Sequence, residues 1–454
     1  MIPTGSCAAA RRVHTRAVPR FLHTSDWQLG MVFHNLAVDA AAQRARELRF
    51  AVLERIARLA HERAVDAVLV AGDVFDVEVV STTLLQQARD ALARFAPIPV
   101  VLLPGNHDPG TPGSALARLA GEGCPAHVKV ALDGTAIELP SAGATWRVFP
   151  CPLLARHTYA DPTAGLPARG VDDAAQVRVA LAHGATQDFG QREALPNRIA
   201  ADTVLGRGFD YLALGDWHGE FEVEPRARYS GAPEPTSFHA QTRGKALIVS
   251  IAHAGALPEV EAVDVGASWW IDGGPWRLEG DDAVARLIAA IAGIGAPDGR
   301  FGPPPPQWGG LSCTALRLEL VGAVTLAQRA QLREALELAA ERLMHLRAKS
   351  ERLQLRPDAA DELTFAHEPV LRGVFQTLLA ATKARAPRDA VEADGAVAAA
   401  GPPDRPDSEE SPFDPDVDAA VDPSELEIEA AALALLHRLV AEAQAAQQAR
   451  EAAR

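Results

Sequence analysis

Between Phe21 and Val265, short apolar runs alternate with stretches whose apolar residues recur at helical spacing, and this alternation limits the fold more than any other feature of the chain. Seven runs read as strands: FLHTS (21–25), DAVLVAG (66–72), IPVVLLPG (98–105), TWRVFP (145–150), VRVALAH (177–183), FDYLALG (209–215) and KALIVSI (245–251). Residues 37–64 and 81–96 read as helices between them. The order predicts an α/β domain over 20–265 whose strands are covered on both faces, with chemistry where strands end in loops.

The pattern changes after residue 265. The stretch DGRFGPPPPQWGG (298–310) holds four prolines and four glycines, a stiff connector poor in hydrogen-bond donors. A strand, TALRLELVG (314–322), and a long helix from about Leu326 to Lys349 follow, so 266–383 is expected to form a small α+β accessory domain. Residues 384–422, rich in Ala, Pro, Asp and Glu, read as a disordered acidic linker. At its end Asp422-Pro423-Ser424-Glu425 has the form of a helix start, and Leu426, Ala430, Leu433, Leu436 and Val440 then share one helical face. The helix 423–454 suits either docking to another protein or folding back on its own domain. Residues 1–19 read as a disordered extension.

Charge has to be mapped before it excludes a partner. The formal net charge is −15, but 389–425 holds twelve acidic residues against Arg405, so 11 of those charges sit in the tail. The remaining −4 does not argue against DNA. Cys7, Cys124, Cys151 and Cys313 lie far apart with no CxxC spacing, which excludes a thiolate zinc site and a disulfide framework as organising features. No run of eighteen apolar residues occurs and the N-terminus lacks the apolar core of a secretory signal, so a cytoplasmic location with no membrane partner is expected.

Five motifs sit where apolar runs end: SDWQ (25–28), GDVFD (72–76), GNHD (105–108), AHG (182–184) and GDWH (215–218). One Gly-Asp after a strand is turn chemistry; five such sites in one domain are not. Carboxylates and imidazoles without thiolates suit Mn, Fe or Zn, and a carboxylate can bridge two ions about 3.5–4 Å apart. Such a pair polarises a phosphoryl group and activates water, so the set points to phosphoester hydrolysis.

In this order and spacing the motifs resemble the calcineurin-like metallophosphoesterases. The resemblance implies their fold, a two-sheet β-sandwich flanked by helices, here followed by a small α+β C-terminal domain. The opening FLHTSDWQLG and the segment YSGAPEPTSF (229–238) resemble the SbcD-type DNA-repair exonucleases within that superfamily. The likeness covers about 20–265 well, the following domain loosely and the tail hardly at all. It implies two divalent ions, Mn²⁺ first, with Mg²⁺ or Fe as alternatives. Asp26 and His218 would bind the first ion, Asn106 and His183 the second, and Asp73 both. His107 would stand beside the scissile phosphate as the catalytic acid, with Asp76 and Asp108 orienting it or its loop. His34 and Arg44 would approach DNA, and Ser230 and Gly231 would position substrate; an ordinary loop histidine and a plain proline turn are the alternatives. The partners implied are DNA, an SbcC-like coiled-coil ATPase and a second copy in a homodimer.

Two positions depart from that pattern. The family reads Asp-x-His at the first motif and Gly-His-x-His at the last, whereas this chain has Gln28 and Asp216. Asp216 can bind the second ion through oxygen; Gln28 offers the first only a neutral carbonyl. The first ion is therefore expected to be the weaker, and the oxygen-rich set to favour Mn²⁺ or Mg²⁺ over Zn²⁺. Three readings stand at this point: a DNA nuclease, a phosphodiesterase or phosphatase for small molecules, and a non-catalytic DNA-end-binding subunit of an ATPase complex.

Overall fold

The computed structural model describes residues 18–356 apart from 34–35, 37–38, 142–143, 172–175, 187–195, 239–242 and 281, and adds 372–374, 376–377 and 380. His34, nearly all of the N-terminal extension, the acidic linker and the helix expected at 423–454 lie outside the described residues. The chain divides into two units: one of 1–31, 49–234 and 242–265, the other of 32–48, 235–241 and 266–454.

Twelve strands build the first unit: β1 (Arg20–Thr24), β2 (Ala67–Val70), β3 (Val100–Leu102), β4 (Val128–Val130), β5 (Ile137–Ser141), β6 (Ala144–Cys151), β7 (Arg178–His183), β8 (Tyr211–Gly215), β9 (Phe221–Glu224), β10 (Ala227–Tyr229), β11 (Lys245–Ser250) and β12 (Glu259–Asp264). They form two six-stranded sheets, ordered β12-β11-β1-β2-β3-β4 and β5-β6-β7-β8-β10-β9. Strands β1 to β4 run parallel, as do β6, β7, β8 and β10, while the pairings β1–β11, β11–β12, β5–β6 and β9–β10 are antiparallel. One core cluster draws Phe21, Leu69, Val101 and Leu247 from the first sheet and Trp146, Val179, Leu181 and Tyr211 from the second. The Phe21 and Trp146 rings stack within it at 5.1 Å. This is the interior of a sandwich, where inward residues of both sheets interdigitate.

Helices α1 (Asp39–Glu62), α2 (Thr82–Ala93), α3 (Ala115–Gly121) and α4 (Ala201–Gly206) follow in chain order. The outer face of the second sheet is covered with Val204 of α4 among Phe149, Ala180, Leu212 and Leu214, which explains why β7 and β8 are apolar on both faces and read as continuous runs.

The second unit carries an all-parallel sheet of β13 (Trp269–Leu278), β14 (Thr314–Val324) and β15 (His345–Leu355), with α5 (Ala283–Ala292) and α6 (Leu326–Arg342) between successive strands. The proline-rich stretch lies inside this unit, between α5 and β14. The helix expected to reach Lys349 ends at Arg342, and 345–349 form a strand instead. Two effects decide this. Thr325 and Gln328 close a capping box that fixes the start. At the other end, pairing with β14 from Ala315↔His345 onward covers an otherwise bare edge. Tertiary pairing overrides helix propensity there.

Candidate metal centre

The parallel strands bring the five motif loops to one end of the sandwich. Register aligns Thr24 with Val70 and Val70 with Leu102 in one sheet, and His183 with Gly215 in the other. The loops SDWQ, GDVFD and GNHD therefore leave adjacent strand ends, and AHG and GDWH leave the neighbouring pair. Glycine is required where the loops meet. A Cβ on Gly215 would lie 1.9 Å from the Ala71 carbonyl oxygen, and one on Gly105 would lie 2.0 Å from Asp73 Oδ1.

Backbone conformation then aims the donors. Asp26, Gln28, Asp73 and Asp216 have φ of 54, 43, 54 and 100°, a left-handed region that side-chain-bearing residues adopt only when their surroundings enforce it. Asp26 N donates to Gly72 O at 3.0 Å and Gln28 N to Asp73 O at 2.9 Å, so the first two loops hold each other in these states.

Two groups of donors result, with Asp73 within reach of both. His183 Nε2 lies 2.7 Å from Asn106 Oδ1, 3.4 Å from Asp73 Oδ1 and 3.9 Å from Asp216 Oδ1. His218 Nε2 lies 3.1 Å from Gln28 Nε2 and 3.9 Å from Asp26 Oδ1. Ligand atoms of Asp26, Asp73 and His183 all fall within 4.8 Å of one another, and all three residues are buried. His183 Nδ1 donates to Ala71 O at 2.8 Å, which directs Nε2 as the ligating nitrogen toward the oxygens.

Beside these donors stands His107. Its amide donates to Asp73 Oδ1 at 3.0 Å, its Nδ1 donates to the Asp76 carbonyl at 2.8 Å, and its imidazole remains partly exposed. Asp108 is completely buried, with Oδ1 accepting from Gly105 N at 2.8 Å and Oδ2 from Phe75 N at 2.9 Å. Both its oxygens are spent on backbone amides, so it fixes the loop that carries His107.

So much buried carboxylate is costly to ionise. Burial pushes Asp26 up to about 6, against the pull of His183 and His218, and pushes Asp108 up to about 8, helped by the neighbouring charge of Asp73. Burial works against charge at Asp73 too, but His183 and His107 hold it below the ordinary carboxylate range. At His183 burial opposes the proton, yet Asp73, Asp26 and Asp216 raise it well above the usual imidazole value; His107 is raised in the same way by Asp73 and Asp76. The pocket is an anion cage that favours cations.

Residues 19–220 match the calcineurin-like phosphoesterase family. The span takes in all five loops and ends just past His218, and the two-sheet α/β architecture is the calcineurin-like metallophosphoesterase fold. Together with the buried Asp26, Asp73 and His183 cluster, the match supports reading residues 19–220 as a metal-dependent phosphoesterase domain. The donors fit divalent cations. Beyond the three clustered groups, Gln28 Oε1 is buried without a hydrogen-bond partner, an orphaned acceptor among anions that a cation would satisfy.

Other residues singled out by sequence lie elsewhere. Ser230 is fully buried, its hydroxyl 2.8 Å from that of Ser25, so it supports the first loop from beneath and does not present its hydroxyl to a solute. Gly231, at φ 75°, packs against the backbone of 218–220, and Ala232 N donates to His218 O at 2.9 Å. Arg44 belongs to the second unit, its guanidinium 3.4 Å from Cys313 Sγ and 3.3 Å from Glu47. His23 is a core residue hydrogen-bonded at both ring nitrogens, to Tyr211 Oη and Leu214 O. Sequence reasoning missed Arg49. Buried on α1, it donates to Trp27 O at 2.9 Å between the two left-handed residues of the first loop; burial lowers its pKa to about 10 against the support of Glu234, Asp76 and Asp26. An arginine on the apolar face of a helical pattern was the available signal.

Proposed function

We propose that the domain is a two-metal nuclease that hydrolyses phosphodiester bonds of DNA. The observation that carries the hydrolytic part is the shared position of Asp73, whose Oδ1 lies 3.4 Å from His183 Nε2 and accepts the amide of His107 at 3.0 Å. One carboxylate thereby links the donor groups to the imidazole suited to act on the leaving group. DNA as substrate is supported by the likeness of FLHTSDWQLG and YSGAPEPTSF to SbcD-type nucleases; a coiled-coil ATPase and a homodimer are the partners that likeness suggests.

In this reading Asp26, Gln28 and His218 would hold one ion, Asn106, His183 and Asp216 the other, and Asp73 would serve both. Divalent ions there would polarise the phosphoryl oxygens and acidify a coordinated water. Manganese suits the oxygen-rich set best. The rest falls to the protein. His107, with Nδ1 committed to Asp76 O, would deliver a proton from Nε2 to the leaving oxygen. Asp108 keeps that imidazole in place through the amides of Gly105 and Phe75.

The test is hydrolysis of labelled single- and double-stranded DNA and of a small chromogenic phosphodiester with Mn²⁺, Mg²⁺, Zn²⁺ or no metal, beside His107→Ala. DNA cleavage with Mn²⁺ that vanishes in the variant is the expected result. Turnover of the small ester alone would move the substrate away from DNA. Binding of DNA without turnover in any metal would make the protein an end-binding subunit.

A further inference from the structure

The segment 152–160 leaves β6 and is fastened at both ends to the loops that carry the site. At one end Leu153 N donates to Pro104 O at 3.4 Å and Leu153 O accepts Gly110 N at 2.8 Å, which ties the segment to the loop bearing His107. At the other end Asn197 holds it three times: Oδ1 accepts Thr158 N at 2.9 Å, Nδ2 donates to Arg156 O at 3.0 Å, and Asn197 N donates to Thr158 O at 2.7 Å. Asn197 is buried in the left-handed region at φ 56°, and its carbonyl oxygen lies 1.9 Å from where a Cβ on Gly184 would stand. The clamp therefore rests against the residue that follows His183.

A segment so firmly held leaves its middle side chains in solvent. Tyr159 is 86% exposed and Leu154 60%, and Arg156 and His157 are exposed with them. Across the His107 loop, Glu78 O accepts Ala115 N at 2.7 Å, and the adjoining Val77 and Val79 are 46% and 71% exposed. Four of the nine exposed large apolar side chains among the described residues thus belong to the two segments that flank His107. Scattered exposure needs no explanation, but clustering beside a reaction site does. The Arg156 guanidinium is also near enough to act electrostatically on His107.

We propose that this rim is a nucleotide subsite for single-stranded nucleic acid, with an unpaired base stacked on Tyr159 against Leu154 and the phosphate next to the cleaved one drawn to Arg156. The inference rests on the nuclease reading and narrows it to substrates that present an unpaired nucleotide at the site. An exposed aromatic ring and a cation three residues apart, on a backbone fixed at both ends, are the combination that binds single strands without reading their sequence. A base inside a duplex has both faces covered by its neighbours and could not use Tyr159. The clamp by Asn197 makes the platform ready before substrate arrives, so little ordering is lost on binding.

The test uses full-length protein with Mn²⁺ and compares Tyr159→Ala, Tyr159→Phe and Arg156→Ala with wild type; Tyr159 is exposed, so its variants are expected to fold. The readouts are kcat/KM on a short single-stranded oligonucleotide relative to a small chromogenic phosphodiester, and fluorescence quenching of a 2-aminopurine beside the cleavage position. Tyr159→Ala should lower that ratio about tenfold and abolish the quenching, Tyr159→Phe should restore both, and Arg156→Ala should flatten the salt dependence of oligonucleotide binding. Wild type that binds and cuts the oligonucleotide while Tyr159→Ala changes neither readout overturns this inference alone. Wild type that hydrolyses the small ester but neither binds nor cuts the oligonucleotide overturns the nuclease reading and this inference with it.

Discussion

Gly72 and Gly113 offer a matched pair that separates backbone strain from the crowding of the metal centre. Both are left-handed, at φ 91 and 85°, so an alanine at either costs about 1–2 kcal/mol for conformation alone. A Cβ on Gly113 would meet nothing within 4 Å, whereas one on Gly72 would lie 2.2 Å from His183 Nδ1 and 2.5 Å from its Cγ. The imidazole cannot retreat: it is fully buried and its Nδ1 is hydrogen-bonded to Ala71 O at 2.8 Å. Forcing it aside adds about 1–3 kcal/mol of overpacking and about 1 kcal/mol for the strained hydrogen bond. Gly72→Ala should therefore destabilise by about 3–6 kcal/mol, and Gly113→Ala by no more than about 2 kcal/mol. Urea unfolding at constant m reads the difference, and calorimetric Mn²⁺ titration should show binding lost only in Gly72→Ala. Equal destabilisation by the two variants, or wild-type Mn²⁺ binding by Gly72→Ala, would refute the argument that this glycine exists to admit His183.

Three further outcomes follow from the same geometry. Gln28→His replaces a neutral amide with a stronger donor 190 residues from its partner His218 in sequence but in contact in space, and should tighten the weaker ion at least tenfold and shift preference toward Zn²⁺, as read by competition between the two metals. Because Asp73, Asp26 and Asp216 raise His183 above its ordinary value against the effect of burial, a proton competes with a metal ion for its Nε2. Metal affinity should therefore fall as pH drops below that raised value, by roughly tenfold per pH unit for each proton displaced, and level off above it; titrations in buffers of different ionisation enthalpy should show proton release, and a pH-independent affinity from 6 to 8 would contradict it. Asp108→Ala strips acceptors from two buried amides, Phe75 N and Gly105 N, and should cost about 2–6 kcal/mol in chemical denaturation; a loss below about 1 kcal/mol would contradict that role.

How far the sequence discloses this molecule depends on which physical force sets each element. The central strands β1, β2, β3, β7 and β8 are buried on both faces and appear as uninterrupted apolar runs. Edge strands such as β9, with burial alternating between half-buried and exposed, and β4, only three residues long, carry too weak a period to stand out. The end of α6 was misread because only the vacant edge of β14 makes 345–349 a strand, and that edge is invisible until the sheet exists. At the site, the five loops were legible because strand ends concentrate polar residues in a recognisable order. Which of the two readings of Ser230 holds was not legible, because nothing in YSGAPEPTSF says that its hydroxyl turns inward to Ser25. Arg49 and Asn197 were missed because each works on the backbone of a distant segment, through Trp27 O and through 156–158.

The left-handed residues connect these observations. Among the described residues six non-glycine positions have positive φ: Asp26, Gln28, Ala64, Asp73, Asn197 and Asp216. Four are donors of the candidate centre, and a fifth clamps the loop beside it. Each is strained by about 1 kcal/mol or more, a cost that glycine would remove at once. At Gln28 the strain falls on a long side chain with no local turn to stabilise, so the position keeps it only because the amide itself is needed where it lies, 3.1 Å from His218 and with its oxygen unpaired. A loop serving only to join β1 to α1 would relax to glycine or asparagine there. The Gln28 that stands where the resemblance implies an imidazole therefore reads as a change in what the site holds, with the geometry for holding it retained, and the loss of turnover that a decayed site predicts should be absent when Mn²⁺ is supplied at saturating concentration.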